Sequence, residues 1–336
     1  MNILFTCAGR RNYLINYFKE ALGSNGSVYA TDMQRSAPAL IDADYSIIVP
    51  SIYDDNYIDA LISNINKYNI DAVISLNDLE LPILSAHRTH IENAGAKLLV
   101  SNENVIDISF DKWKTFLFLK DIGLNSPLTF TNYSEALAAI KSNTLKFPLV
   151  LKPRWGSASI GIEFPESLEE LELAYKLLKI RLERTILAKA SQEDIEQAIL
   201  IQEKISGDEY GMDVLNDFNG EYKGSFVRQK LSMRSGETDK AISVIDQRFS
   251  KIGEVIGNKL KHIGNLDCDV LERDGELYVL ELNPRFGGGY PFSHEAGMNT
   301  CNSYISWLKG HDSFDTDNQY KANVEFAKCD RLLKIK

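Results

Sequence analysis

Residues 278–289 read YVLELNPRFGGG, and this stretch decides the fold. Its Val/Leu/Tyr-rich start predicts a strand, and positions two apart on a strand share a face, so Glu281 and Asn283 point the same way. A carboxylate and an amide oxygen side by side suit Mg²⁺. That ion takes hard oxygen ligands at about 2.0–2.1 Å and commonly binds through one or two carboxylates plus substrate phosphates. Arg285 follows at a spacing that lets a guanidinium fork hold a phosphate oxygen. The same letters also describe a surface acid before a turn, since Asn-Pro and a glycine run mark loops. The neighbouring segments decide between the two.

Working outward, residues 152–161, KPRWGSASIG, follow the apolar run FPLVL. Lys152 is therefore expected on a strand, with Gly156 to Gly161 forming a small-residue turn whose amides can approach phosphate oxygens. The GxxxxGK[ST] spacing of a Walker loop is absent, and the lysine precedes the glycines. A lysine ending an apolar run needs a partner or an exit to solvent. A third segment, LIQEKISGDEYGMDVL at 200–215, carries Gln202, Glu203, Lys204, Ile205 and Glu209. Taken singly, its glutamates read as surface acids.

In order and spacing, residues 112–285 resemble the ATP-grasp superfamily, most closely its carbamoyl-phosphate-synthase-like branch with a single ATP-grasp unit. The resemblance implies ATP and Mg²⁺, with Mn²⁺ as a substitute. It matches Lys112, in DKWKTFLFLKDIGLNSP, to a lysine on the ATP phosphates and Lys152 to the second nucleotide lysine. Gly156, Ser157, Ser159 and Gly161 match the phosphate-covering loop. Gln202 to Ile205 match the adenine hinge, with Glu203 near the purine amino group, and Glu209 the ribose carboxylate. Glu281 and Asn283 match metal ligands. The other metal ligand lies in LDCDVLE, where Asp267 and Asp269 are both available and spacing slightly favours Asp267.

The whole chain permits this. At 336 residues and 44% hydrophobic content it can bury a sizeable core in two or three subdomains. No apolar stretch approaches the roughly 20 residues of a membrane span, and the start lacks the flanks of a signal peptide, so a cytoplasmic protein without membrane contact is expected. The four cysteines, Cys7, Cys268, Cys301 and Cys329, have no metal-ligand spacing and are expected as reduced thiols. A formal charge of −10 without a Lys/Arg cluster argues against nucleic acid. Local basic groups beside loops suit a small anionic ligand instead.

Short Val/Ile-rich runs alternate with amphipathic segments over the first hundred residues, which predicts a parallel sheet with helices on both faces. Ligands bind such sheets beyond the carboxyl ends of the strands, here Gly9-Arg10-Arg11, Asp32 and Asn77-Asp78-Leu79-Glu80. Asp32 sits where dinucleotide folds place a ribose-binding acid, but the first turn has only Gly9 where GxGxxG requires three glycines. The expected organisation is a Rossmann-like α/β domain over 1–109, a two-subdomain α+β ATP-grasp domain over 110–310 (lid 126–200, core 201–310), and a tail, 311–336, without assigned chemistry. Residues 228–244, RQKLSMRSGETDKAISV, are expected as a binding loop. By the resemblance, Lys230 and Arg234 would face the acyl phosphate or the acceptor, acting with Arg285. His294 reads as a pocket-wall or helix-start residue rather than an acid or base.

The implied chemistry is an ATP-driven ligation of a small carboxylate to an amine through an acyl phosphate, releasing ADP. The chain shows one ATP-grasp unit and no glutaminase-like motif, which argues against complete carbamoyl phosphate synthesis. Bicarbonate activation, a small-molecule kinase and a catalytically silent ATP-binding regulator are the alternatives. A homodimer is the family-level expectation for partners.

Overall fold

Strands β1 (Asn2–Thr6), β2 (Ser27–Asp32), β3 (Tyr45–Ile48), β4 (Ala72–Ser75) and β5 (Lys97–Leu98) pair in parallel in the order β3-β2-β1-β4-β5. The computed structural model containing them describes residues 1–156, 161–184 and 194–335. Central β1 is apolar at Ile3, Leu4 and Phe5 because helices cover both of its faces. The helix Asn12–Leu22 buries Leu14, Ile15, Phe18 and Leu22, one stripe at helical spacing. The strand order reverses between β1 and β4. Their carboxyl ends therefore open a crevice at a switch point, the place where such sheets take ligands.

The lid sheet comprises β6 (Thr129–Phe130), β7 (Leu149–Pro153) and β8 (Ile199–Glu203), antiparallel in the order β6-β8-β7. Helices Tyr133–Lys141 and Leu168–Leu182 pack on it around Leu145, Leu149, Leu151 and Ile201. Ser167 caps the second of these, its hydroxyl accepting from the Glu170 amide at 3.2 Å. Since β8 pairs wholly with lid strands, the lid sheet runs to Glu203 rather than stopping at the expected 200.

Six antiparallel strands form the core: β9 (Asp208–Asn216), β10 (Tyr222–Arg234), β11 (Glu237–Val244), β12 (Gly264–Arg273), β13 (Glu276–Asn283) and β14 (Glu325–Ala327). Their order is β13-β12-β9-β10-β11-β14. The segment expected as a binding loop is instead the β10–β11 hairpin. Arg234 pairs with Glu237 across a two-residue turn in which Ser235 and Gly236 have φ of 52° and 79°. Two left-handed residues make the tight turn that matches strand twist, and the charges alternate along paired strands rather than along a loop. β14 belongs to the tail and pairs with β11, so the tail's strand-like run closes the sheet edge.

In the β12–β13 ladder, Val270 faces Val279 while Asp269 faces Glu281, so Leu280 is an extra residue, a bulge. The helix Gln247–Leu260 covers the sheet and buries Phe249 and Ile256 with Met212, Val214 and Val279. The parallel-sheet domain docks on this core through aromatic edges: Phe18 lies 6.0 Å from Phe286 and 5.9 Å from Tyr304, ring centre to ring centre.

Candidate active site

Asp111 organises the entrance. Its carboxylate caps the helix Lys112–Asp121 by accepting from the Trp113 amide at 2.9 Å, and it accepts a fork from Arg154 at 2.8 and 2.7 Å. This clamp holds the helix start against the end of β7. Lys112 and Lys152 consequently enter one cavity.

That cavity, about 730 Å³, lies between lid and core. Val150, Ile162, Phe164, Ile205, Leu271 and Leu280 give it apolar walls, while Lys112, Lys152, Glu209, Asp269 and Glu281 supply charge. Gly156 lines it, but Ser157 and Ser159 lie outside the described residues; Gly161 is not in its wall. Lys152 is 8% exposed and has no hydrogen-bond or ion-pair partner among the described residues. Burial pulls its pKa down to about 8, against the attraction of Glu281. Lys112 is bound at both sides, 2.9 Å from Glu281 and donating to the Gly156 carbonyl.

All four expected hinge residues, Gln202 to Ile205, line this cavity. The Glu203 carboxylate is held by Arg273 at 2.8 Å and its amide donates to the Leu128 carbonyl. Gln202 donates to the Thr129 hydroxyl at 2.7 Å inside the lid. The Lys204 ammonium lies 5.2 Å from the Phe164 ring centre.

Across β12–β13, Asp269 stands opposite Glu281 and Asp267 opposite Asn283. Each carboxylate has a cation: Lys112 on Glu281, Lys230 on Asp269 at 2.6 Å, and Arg228 on Asp267 at 2.7 Å. Burial pushes Asp267 up to about 6 despite Arg228. Burial would raise Asp269 too, but Lys230 outweighs it and holds the carboxyl below its ordinary value. Asp269, Glu281 and the Asn283 amide offer hard oxygens on one face, a donor set that fits Mg²⁺ completed by phosphate. Asp267, which spacing favoured, is drawn instead onto Arg228. Among the described residues no group of three or more His, Cys, Asp or Glu is arranged to hold a metal, consistent with a site that needs an amide and a ligand oxygen.

The two expected acceptor-facing cations divide: Lys230 lines the second cavity, described next, and Arg234 does not. Lys230 is buried between Glu209 (2.7 Å) and Asp269 and contributes by fixing both carboxylates. Arg234 is half-exposed at the hairpin tip, paired with Asp239 and Asp330. The group that sequence reading passed over is Arg228, 1% exposed, which grips Asp213 and Asp267 and donates to Ser293 at 3.1 Å. Asp213 inside the apolar GMDVL run was the available signal, because a buried charge demands a partner. Gly289 makes room for it: a Cβ there would lie 2.2 Å from Arg228 Nε.

A second cavity, about 410 Å³, lies between this face and the switch-point crevice of the first domain. Cys7 to Arg11 and Leu76 to Asp78 enter from one side, Arg228, Lys230, Arg285, Glu237 and Gly288 from the other. Arg285 meets Asp78 at 2.6 Å. Asp32 is occupied by the turn itself, accepting from the Gly9 amide at 3.0 Å and the Gln34 amide at 2.8 Å. The two cavities share Met233, Gly236, Asp269 and Glu281 as a common wall. His294 stacks on Tyr17 at 3.6 Å between ring centres, and burial lowers its pKa to about 4. It lines neither cavity and lies in the last turn of the helix Tyr290–Glu295. No helix among the described residues is long and apolar enough to cross a membrane.

Comparison with known proteins adds the following. Residues 3–99 match the family model described as PylC-like, N-terminal domain, and residues 109–289 match that of the ATP-grasp domain. The carbamoyl phosphate synthase arginine-specific large chain of Bacillus subtilis (strain 168) is 21% identical over 265 residues, covering 76% of this chain and 24% of that one. The chain thus spans about a quarter of that relative's length. Among solved structures, biotin carboxylase from Campylobacter jejuni in its β,γ-ATP complex superposes with a TM-score of 0.74 at 17% identity, covering 96% of this chain and 74% of that one. L-amino acid ligase from Bacillus licheniformis superposes with a TM-score of 0.69 at 20% identity, covering 92% and 75%. At these identities the likeness is one of fold.

Proposed function

The chain belongs to the ATP-grasp family, and from that premise we propose that it is an ATP-dependent carboxylate–amine ligase releasing ADP and phosphate. The observation that carries the reading is Lys152: a buried ammonium without a partner among the described residues, aimed into a cavity beside a pair of carboxylates. A site built this way is completed by a polyanion bridged to a divalent cation.

In this reading the apolar walls and the Lys204–Ile205 hinge take the purine, Glu209 takes the ribose hydroxyls, and Lys112 and Lys152 hold phosphate oxygens. Mg²⁺ bound by Asp269, Glu281 and Asn283 would neutralise phosphate charge at the shared wall. The substrate carboxylate, in the second cavity, attacks the γ-phosphorus; the bond to ADP breaks and an acyl phosphate forms. The amine then adds to the acyl carbon, phosphate leaves, and the amine gives up its proton. No side-chain nucleophile is required, because phosphoryl transfer of this kind depends on positioning and charge neutralisation. Arg285, fixed by Asp78, is placed to hold the acyl phosphate. A cytoplasmic homodimer completes the reading, and a monomer by light scattering would reject that part.

The test is incubation with Mg-ATP and pooled small carboxylates and amines, with Glu281→Gln as control. ADP with a condensed mass supports the ligase. ADP with a phosphorylated acceptor identifies a kinase instead, and AMP release rejects both.

A further inference from the structure

The second cavity balances its own charges except at its mouth. Arg11 pairs with Glu237 at 3.0 Å, and Arg228, Lys230 and Arg285 each have a carboxylate within the cavity wall. Arg10 is the remaining lining cation, and its side chain is 83% exposed. Its acidic partner within 4 Å, the sole one among the described residues, is Asp330 of the C-terminal tail, at 3.9 Å.

Asp330 is gripped more firmly by Arg234, whose Nη1 and Nη2 donate to the two carboxylate oxygens at 2.9 and 3.2 Å. Arg234 stands beside Met233 and Gly236, which line the same cavity. The tail is delivered there by β14, by the Lys328 amide donating to the Asp239 carbonyl at 2.8 Å, and by the Lys328 ammonium on the Gly288 carbonyl at 2.9 Å. Beyond it, Arg331 pairs with Asp42 of the first domain. A carboxylate of the chain itself therefore sits across two arginines that come from different domains.

We propose that Arg10 and Arg234 form a carboxylate-binding subsite at the cavity mouth, which Asp330 fills when no substrate is present. The acceptor would then carry a carboxylate remote from its reacting group and displace Asp330 on binding. The planar fork of Arg234 matches two carboxylate oxygens. Asp239, 3.2 Å from Arg234 Nε, leaves the pair with one net positive charge once Asp330 departs, which suits a monoanion over a phosphate dianion. Exposed ion pairs are weak, so the tail's carboxylate is readily exchanged. The word acceptor rests on the ligase reading; the subsite does not.

The test uses the full chain and two probes, ¹³C-acetate and inorganic phosphate, read by ¹³C and ³¹P line broadening. Asp330→Ala is expected to bind acetate about threefold to fivefold more tightly than the unaltered chain. Adding Arg10→Gln and Arg234→Gln to that background should abolish the gain. Equal acetate binding with and without Asp330, a gain that survives loss of both arginines, or a larger gain for phosphate would each overturn the subsite. With an acceptor from the pooled assay, Asp330→Ala should lower its KM and Arg234→Gln raise it. Unmoved KM values in both variants would reject the acceptor's carboxylate. If the pooled assay gives no turnover, the ligase reading fails and the acetate result alone decides the subsite.

Discussion

The Asp78 carboxylate accepts from the Arg285 guanidinium at 2.6 Å, joining the end of a first-domain strand to the turn after β13. Both side chains are 10% exposed, so neither charge has much water to fall back on. Asp78→Asn should therefore cost about 1–3 kcal/mol of stability by urea denaturation. Arg285→Lys should keep the charge but lose the fork and lower kcat. An Asp78→Asn protein as stable as the unaltered chain would show that the pair does not hold the domains.

Glu281→Gln should lower ADP formation by about 10²–10³-fold while far-UV circular dichroism stays unchanged. Asp269→Asn should match it. Asp267→Asn should act chiefly through stability, because its partner is the buried Arg228. Full turnover by Glu281→Gln, or a larger catalytic loss for Asp267→Asn than for Asp269→Asn, would overturn the proposed metal set.

Lys152 ties stability to pH. Its folded pKa of about 8 lies below the ordinary lysine value of 10.5, so the buried charge opposes folding wherever both states are protonated. As pH rises from about 8 toward 10.5 the folded state releases its proton first, and this group's contribution to stability increases across that window. ADP affinity should fall over the same range as the ammonium is lost. Lys152→Ala should flatten both profiles and weaken ADP binding by about 10–100-fold in calorimetry.

Glu209→Ala removes one of two carboxylates on Lys230 and leaves Asp269 in place. The apparent KM for ATP should rise by about tenfold while single-turnover chemistry at saturating ATP persists. An unchanged ATP dependence would show that Glu209 does not meet the ribose.

Sequence order made the Glu281–Asn283 strand, the Lys152 strand and the alternating first domain legible, because each is a local pattern of apolar and polar residues. Partnerships were not. The Lys230–Asp269 and Arg228–Asp267 pairs each span 39 residues, and both depend on which strands lie side by side. The 228–244 segment looked like a loop because its charges were read along the chain; their counterparts lie on β9, β12 and the tail. Spacing alone could not show the bulge that sets Asp269 opposite Glu281 and leaves Asp267 opposite Asn283.

That bulge also changes the phase of β13. Leu277 and Val279 point into the core sheet's apolar interior, and so does Leu282, so the inward-facing positions switch from odd to even part-way along the strand. Leu280 and Glu281, consecutive in sequence, both line the cavity between lid and core. The same residues in a regular strand, with no bulge, would keep the rhythm, turn Glu281 toward the apolar layer and present Leu282 to the opposite face. The extra residue is thus itself a site determinant: straightening the strand with Leu280 kept would silence the acidic face, whereas deleting Leu280 would leave Asp269 opposite Glu281 in an unbroken ladder.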